Sequence, residues 1–339
     1  MEAVRQATLK DYEEMVRLGN LCFTNPYNQY GVIEQRWCHA WGGHQKGSSE
    51  DYIKNFSLIE RDQRIVGMIA LIPMSLEWKS SPIPTGGITA VATHPDYRNT
   101  GVMSTLMSFA EKKMHREPYV ISVLGGDRRR YGHFGWEQVG LRGEMLYGER
   151  YLHGLPDSEQ LPIQIYPEHD SYIERVVRMN ARAEMKFART TDQLKVLLMR
   201  PRVEFWAYRR GDNLSSYIAA SDNLVWEYQG VPAEIPSLIR YFGISHGYRE
   251  VRVATPSVFN AHEEQLYKWA ASFELKPMVF LKILRFKDLI DKLVPGILER
   301  ARMKKISNFK ITLVLQETAQ AISETLGWKP SDAEEGVQS

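Results

Sequence analysis

Hydrophobic and polar positions change period repeatedly along this chain, and each change predicts an element. Val4 to Ala7 is predicted to be a first strand, and Asp11 to Leu21 carries Tyr12, Met15, Val16 and Leu18 as the apolar positions of a helix. Residues 56–60, 64–73 and 76–79 are runs of apolar and β-branched residues that read as successive strands, with Asp62-Gln63 as a turn. Residues 88–93, Ile-Thr-Ala-Val-Ala-Thr, make a central strand. It stops at His94-Pro95, because proline has no N–H for a ladder and restricts the residue before it. From Val102 the apolar residues fall at 102, 103, 106, 107, 110 and 114, one face of a helix that reaches about Arg116. Tyr119 to Leu124 is a buried strand broken by Gly125-Gly126, and Arg128 to Arg130 leads to Tyr131 as a mostly solvated loop or, alternatively, as a contact for bound phosphates.

After Tyr151 comes a linker with Pro156 and Pro162, and then a second mixed pattern over residues 163–285. Helices are predicted over 170–184, 191–198, 235–242 and 258–272, and strands over 203–208, 216–220, 224–228, 251–254 and 276–284. Residues 286–328 begin with an amphipathic helix carrying Leu289, Ile290 and Leu293 and continue to a strand-like 309–315. Ser331 to Ser339 is polar and expected to be disordered. The expected division of the chain is 1–150, 151–285, 286–330 and 331–339.

Composition narrows the functions. The 339 residues suffice for two or three domains, and 43% hydrophobic content supplies a sizeable core. Lysine and arginine number 43 against 41 acidic residues, so neither a nucleic-acid nor an anionic-membrane partner is favoured. No apolar run reaches the ~18 residues that span a bilayer, and the N-terminus shows no signal-peptide core. Cys22 and Cys38 are the only cysteines, and no Cys/His cluster has zinc spacing. The expectation is a cytoplasmic protein without a metal; whether it forms a homo-oligomer is left open.

Chemistry concentrates between the central strand and its helix, at Arg98-Asn99-Thr100-Gly101. A loop entering a helix leaves backbone N–H groups unpartnered, and the helix dipole adds partial positive charge, so the place suits phosphate oxygens. Gly101 lets a ligand approach the backbone and Arg98 adds a fixed cation. The loop by itself is equally compatible with an ordinary helix cap and a solvated arginine.

The surrounding residues, Val-x-x-His-Pro-x-Tyr-Arg-x-x-Gly-Val-Met over 91–103, closely resemble the acetyl-CoA signature of GNAT-type N-acetyltransferases. Met103 stands where that signature has a small residue; with the following Leu-Met run it looks like the enhanced-intracellular-survival (Eis-like) branch. Tyr131-Gly132-His133-Phe134-Gly135-Trp136 is similar to that branch's Tyr-Gly-x-Phe-Gly-aromatic motif. The resemblance covers residues 1–150 and says much less about the rest.

It implies an α/β (α+β) GNAT fold with a mixed central sheet. It also implies a second, degenerate GNAT-like domain and a partial sterol-carrier-like segment at 286–330. Acetyl-CoA is the implied co-substrate, and a primary amine of a small molecule or polypeptide the acceptor. Backbone groups of Val91, Ala92 and Thr93 would hold the pantetheine arm. Amides from Arg98, Asn99, Thr100, Gly101, Val102, Met103 and Ser104 would hold the pyrophosphate. Tyr131 matches the family's general acid, a phenol that stays neutral below its pKa of ~10.

The general base stays open between His133 and a water relay, because Val-Gln-Ser after an acidic stretch does not carry over the branch's terminal carboxylate. Residues 24–50, with Pro26, Tyr27, Tyr30, Trp37, His39, Trp41 and His44, are either an aromatic segment packed on the core or a wall of the acceptor pocket. No Arg-x-x-Gly loop follows Val225-Trp226-Glu227-Tyr228, so no acetyl-CoA is expected in the second unit. The competing reading is a non-catalytic acyl-CoA-binding sensor or interaction protein derived from the same fold.

Overall fold

A computed structural model describes residues 3–23, 50–79, 81–306, 309–317 and 320–328. The aromatic segment at 24–49 and the tail at 331–339 lie outside the described residues. The first half runs β1 (Val4–Gln6), α1 (Tyr12–Phe23), α2 (Glu50–Ile53), β2 (Phe56–Arg61), β3 (Arg64–Trp78) and β4 (Ser81–Thr93). It continues with α3 (Val102–Arg116), β5 (Ile121–Leu124), α4 (Arg128–Tyr131) and β6 (Glu137–Gly148). The second half runs α5 (Glu149–Gly154), β7 (Ile163–Ile165), α6 (Asp170–Asn180), β8 (Met185–Phe187), α7 (Thr191–Leu198), β9 (Val203–Arg210) and β10 (Asn213–Ser221). It continues with β11 (Leu224–Gly230), α8 (Ile235–Ser245), β12 (Glu250–Pro256), α9 (Ala261–Tyr267) and β13 (Ser272–Ile283). Helix α10 (Phe286–Met303) and a separate hairpin of β14 (Phe309–Glu317) and β15 (Gln320–Trp328) follow.

One thirteen-stranded mixed sheet crosses both halves in the order β1-β2-β3-β4-β5-β13-β6-β12-β11-β10-β9-β7, with β8 paired to β3. Among the described strands only β4 with β5 and β11 with β12 pair in parallel, and each parallel pair is joined through a helix, α3 or α8. Strand β13, late in the chain, inserts between β5 and β6, while β6 pairs on to β12. The two halves are thus joined by backbone ladders.

Helices cover both faces of the sheet. Helix α1 packs Met15, Val16 and Leu18 on Phe56, Leu58, Met68 and Ala92. Helix α3 packs Val102, Leu106, Met107, Ala110 and Met114 on the opposite face, against Ile59, Val66, Ile69 and Ile88. Each fully buried side chain of this size contributes ~1.5–3 kcal/mol, which fixes α3 and so the loop ahead of it.

Several expectations are corrected. Residues 64–73 and 76–79 form one strand, β3, that runs through Pro73. Leu71 N donates to Asn55 O at 3.0 Å, and Ser75 O accepts from Ala188 N at 2.9 Å, so odd positions face that edge. Pro73 also faces it, in the gap between β2 and β8 where no ladder needs its N–H. Helix α6 stops at Asn180 because the following residues are drawn into strand β8 against β3. Helix α9 starts only at Ala261, where Asn260 and Glu263 form a capping box. Arg128 to Tyr131 is a helical turn rather than a loop.

Strand β6 was not expected from its sequence, which contains Gly140 and Gly143 and little alternation. Its neighbours account for Gly143: a Cβ there would lie 2.2 Å from Thr255 Oγ1 and 2.3 Å from the Phe273 ring.

Candidate active site

Strands β4 and β5 pair from Thr85–Ile121 to Ile88–Leu124 and then part. The cause is a bulge in β4. Ala90 has φ +52°, and Ala90 and Val91 together oppose Ile69, between the pairs Thr89–Ala70 and Ala92–Met68. Beyond it β4 stays on β3, with His94 N donating to Val66 O at 2.8 Å. Backbone groups alternate between a strand's two edges, so Val91 and Thr93 turn theirs to the open edge. Cys22 Sγ donates to Thr93 O there, at 3.2 Å. Burial is the main reason the Cys22 thiol sits above its ordinary pKa, against the opposing pull of Arg98, so it stays a thiol at neutral pH.

The loop after β4 makes a short turn at Pro95–Tyr97, passes Asn99 at φ +62° and ends on Gly101 at φ +85° as the N-cap of α3. The first intrahelical bond runs from Thr105 N to Gly101 O at 2.9 Å. The amides of Val102, Met103 and Ser104 precede it and have no partner within the helix. Thr100 is used differently from its neighbours: its hydroxyl donates to Tyr97 O at 2.7 Å and accepts from Arg61 at 3.1 Å, holding the loop shut. Gly67 on β3, for which the sequence offered no signal, lets the helix start settle: a Cβ there would lie 2.3 Å from Val102 Cγ1.

The opposite wall is α4 and the turn after it. Asp127 Oδ1 caps α4 by accepting from Arg129 N at 2.7 Å, and Arg128 turns away to pair with Glu137 at 3.2 Å. Arg129, Arg130, His133 and Phe134 line the same cleft of about 660 Å³ as Val91, Ala92, Thr93, Arg98, Asn99, Gly101, Val102, Met103 and Ser104. Of the expected cofactor residues, Thr100 alone is not on its wall. Among the described residues the lining carries three arginines and one carboxylate, Asp127, a balance that suits an anion.

Tyr131 is 6% exposed and is not itself part of that lining. Its ring lies against Gly126 (φ +153°), where a Cβ would be 2.3 Å from Tyr131 Cε2. Burial raises the Tyr131 phenol above its ordinary pKa, partly opposed by the Arg130 guanidinium. Residues 132–134 form a tight turn, so Tyr131 points inward while His133 faces the cleft.

The corresponding place in the second half is closed. Gly230 (φ +121°) presses on β10, where a Cβ would lie 2.3 Å from Ser215 O. Glu234, at the start of α8, accepts from Ser215 Oγ at 2.7 Å, Ser216 Oγ at 2.5 Å and Arg210 at 2.7 Å. Burial alone would raise its pKa, but those hydrogen bonds outweigh burial and hold the carboxyl below its usual range. A fixed anion therefore sits where a phosphate would need positive potential. Between β11 and β12 the space is filled by Tyr228, hydrogen-bonded to the buried Glu263, and by His262 on Gly230 O at 2.9 Å.

Residues 3–139 match the family model of the acetyltransferase (GNAT) domain. Solved structures extend the likeness of fold to nearly the whole chain. A conserved protein from Enterococcus faecalis, described as a probable N-acyltransferase, superimposes with a TM-score of 0.69 at 15% identity, over 97% of this chain and 84% of its own. A GCN5-related N-acetyltransferase from Anabaena variabilis gives 0.67 at 14% identity, covering 97% and 83%. Eis1 from Mycobacterium abscessus gives 0.58 at 11% identity, covering 97% and 85%. No curated protein matches the sequence significantly. The resemblance of the first part of the chain to GNAT acetyltransferases is matched by the family model, the likeness to the Eis1 structure is one of fold, and the expected mixed sheet is present. Among the described residues no group of His, Cys, Asp and Glu is placed to hold a metal, and no helix is long and apolar enough to cross a membrane.

Proposed function

We propose that the chain transfers acetyl from acetyl-CoA to a primary amine of a small molecule or polypeptide. The carrying observation is that one cleft joins the open edge of β4 to the free amides at the start of α3. The first offers peptide groups to an extended amide-bearing arm. The second offers N–H groups and partial positive charge to a pyrophosphate. The thioester supplies the activated acetyl group. Val91 and Thr93 orient the arm; the amides of Val102, Met103 and Ser104, with Arg98, bind the phosphates; Arg129 and Arg130 add positive potential from the other wall. Tyr131 supplies a proton to the departing sulfur, and His133 or water takes one from the amine.

A second reading, a non-catalytic acyl-CoA sensor, draws on the burial of Tyr131 away from the cleft lining. Incubating the protein with acetyl-CoA and a broad panel of amines, read by thiol release, decides between them. Amine-dependent release supports the enzyme; tight acetyl-CoA binding without release across the panel supports the sensor.

One acetyl-CoA is expected per chain, because Glu234 and the Tyr228–Glu263 pair close the second place. Calorimetry should return a stoichiometry near one, and a value near two would reveal an unforeseen second site.

A further inference from the structure

Lys282 lies on β13, far along the chain from the cleft, yet its ammonium group sits behind the turn that forms one cleft wall. Its Nζ donates to Phe134 O at 2.9 Å and pairs with Glu111 Oε1 at 2.5 Å. It also stands 4.9 Å from the centroid of the Trp136 ring, within cation–π range. An ammonium has three protons to place, and these three neighbours surround it; its side chain is only 16% exposed. Gly135 makes the approach feasible: at φ +84° it turns the chain, and a Cβ there would be 3.1 Å from Lys282 Nζ.

Tyr131, Phe134 and Trp136 pack the turn on the core, but few backbone hydrogen bonds hold it. Gly135 N reaches Gly132 O at 2.9 Å, while Trp136 N reaches Tyr131 O only at 3.4 Å. The Trp136 indole also donates to Ser122 Oγ at 3.2 Å, and Ser122 donates to Gly86 O at 2.8 Å. Ser122 is the residue opposite Lys282 in the β5–β13 ladder. The turn is therefore gripped between neighbouring positions on two strands. Glu111 belongs to α3, whose first turn forms the other wall of the cleft. Lys282 thus links the two walls.

We propose that Lys282 is a positioning residue. From the half of the chain whose own cleft is closed, it fixes the 132–135 turn, and with it Tyr131 and His133, relative to the start of α3. The catalytic part of this inference rests on the acetyl-transfer reading; the clamping part does not.

The test uses the full chain with Lys282→Met, read by hydrogen exchange, acetyl-CoA calorimetry, melting temperature and steady-state kinetics. Glu111 is 31% exposed, so water can solvate it once its partner is gone. The expected result has three parts. Exchange over 132–136 rises at least about tenfold, against unchanged exchange in α8 and β12. Turnover falls about tenfold to a hundredfold, the scale of an ångström-sized misplacement of reacting groups. Acetyl-CoA affinity stays within about threefold, because the phosphate loop is untouched. Glu111→Gln keeps the bond to Phe134 and should move the same readouts less; it decides the matter if Lys282→Met does not fold.

Unchanged exchange in the turn of a folded variant overturns the clamp. Loss of turnover and affinity together with a collapsed melting temperature overturns positioning in favour of a general structural role. A wild-type protein that binds acetyl-CoA but acetylates nothing removes the transferase reading and the catalytic half of this inference, while the exchange measurement still decides the clamp.

Discussion

Gly101→Glu is expected to abolish acetyl-CoA binding in a protein that still folds. Nothing lies within 4 Å of a Cβ built at Gly101, so no packing is disturbed. The backbone cost comes from φ +85°, and a side chain in the left-handed region costs ~1–2 kcal/mol. The binding cost is larger. The new carboxylate would stand at the N-cap of α3, beside the amides of Val102 to Ser104, where the proposed phosphates would lie. Two like charges ~4 Å apart at an effective dielectric of ~20 repel by ~4 kcal/mol, a loss of roughly a thousandfold. Gly101→Ala separates the two terms, since it carries the strain without the charge and should lose far less. Titration calorimetry with acetyl-CoA checks both, and unchanged affinity in a folded Gly101→Glu protein would remove the loop from the site.

Tyr131→Phe is expected to lower kcat by ~10²–10⁴, the usual worth of a positioned proton donor, with acetyl-CoA affinity nearly intact. The substitution keeps the ring that lies on Gly126 and takes only the hydroxyl, so the fold should hold. Burial raises the phenol's pKa above its ordinary value. The sign is that of an acid that stays protonated longer: its proton is present at neutral pH and is lost only above the ordinary phenol range. The pH profile of kcat should therefore show no falling limb assignable to Tyr131 below about pH 10. Wild-type turnover in the mutant, with chemistry rate-limiting, would reject the role. A falling limb below that pH that persists in Tyr131→Phe belongs to a proton donor other than Tyr131.

The parts of the site legible in the sequence are those built from neighbours along the chain. The apolar spacing from Val102 makes one helix face, and His94-Pro95 ends a strand. The two together place a loop with a glycine N-cap at the mouth of a helix. Capping and period act over a few residues, so they can be read locally. The same holds for Thr191–Leu198, which begins with a capping box from Thr190 and Gln193 and lies where it was expected. The Asp62-Gln63 turn, with both residues at positive φ, joins β2 to β3 as predicted.

The rest depended on partners distant in the sequence. Strand β6 carries glycines that weaken any local preference, and it exists because β12 and β13 flank it. Pro73 ends a strand by local rules, yet β3 continues through it because its N–H side faces a gap in the sheet. The arginines at 129 and 130 stay exposed, as the sequence suggested, and it is α4 that sets them on the cleft wall. The sequence by itself determined the cofactor-type loop, its helix and the tyrosine motif, because each is specified by residues within one or two turns of one another. Only the tertiary structure decided that β4 parts from β5 at a bulge, that Glu234 closes the second cleft, and that Lys282 stands behind Phe134. Those features come from pairings across tens to more than a hundred residues, where loop-closure entropy is offset only by the whole sheet forming at once.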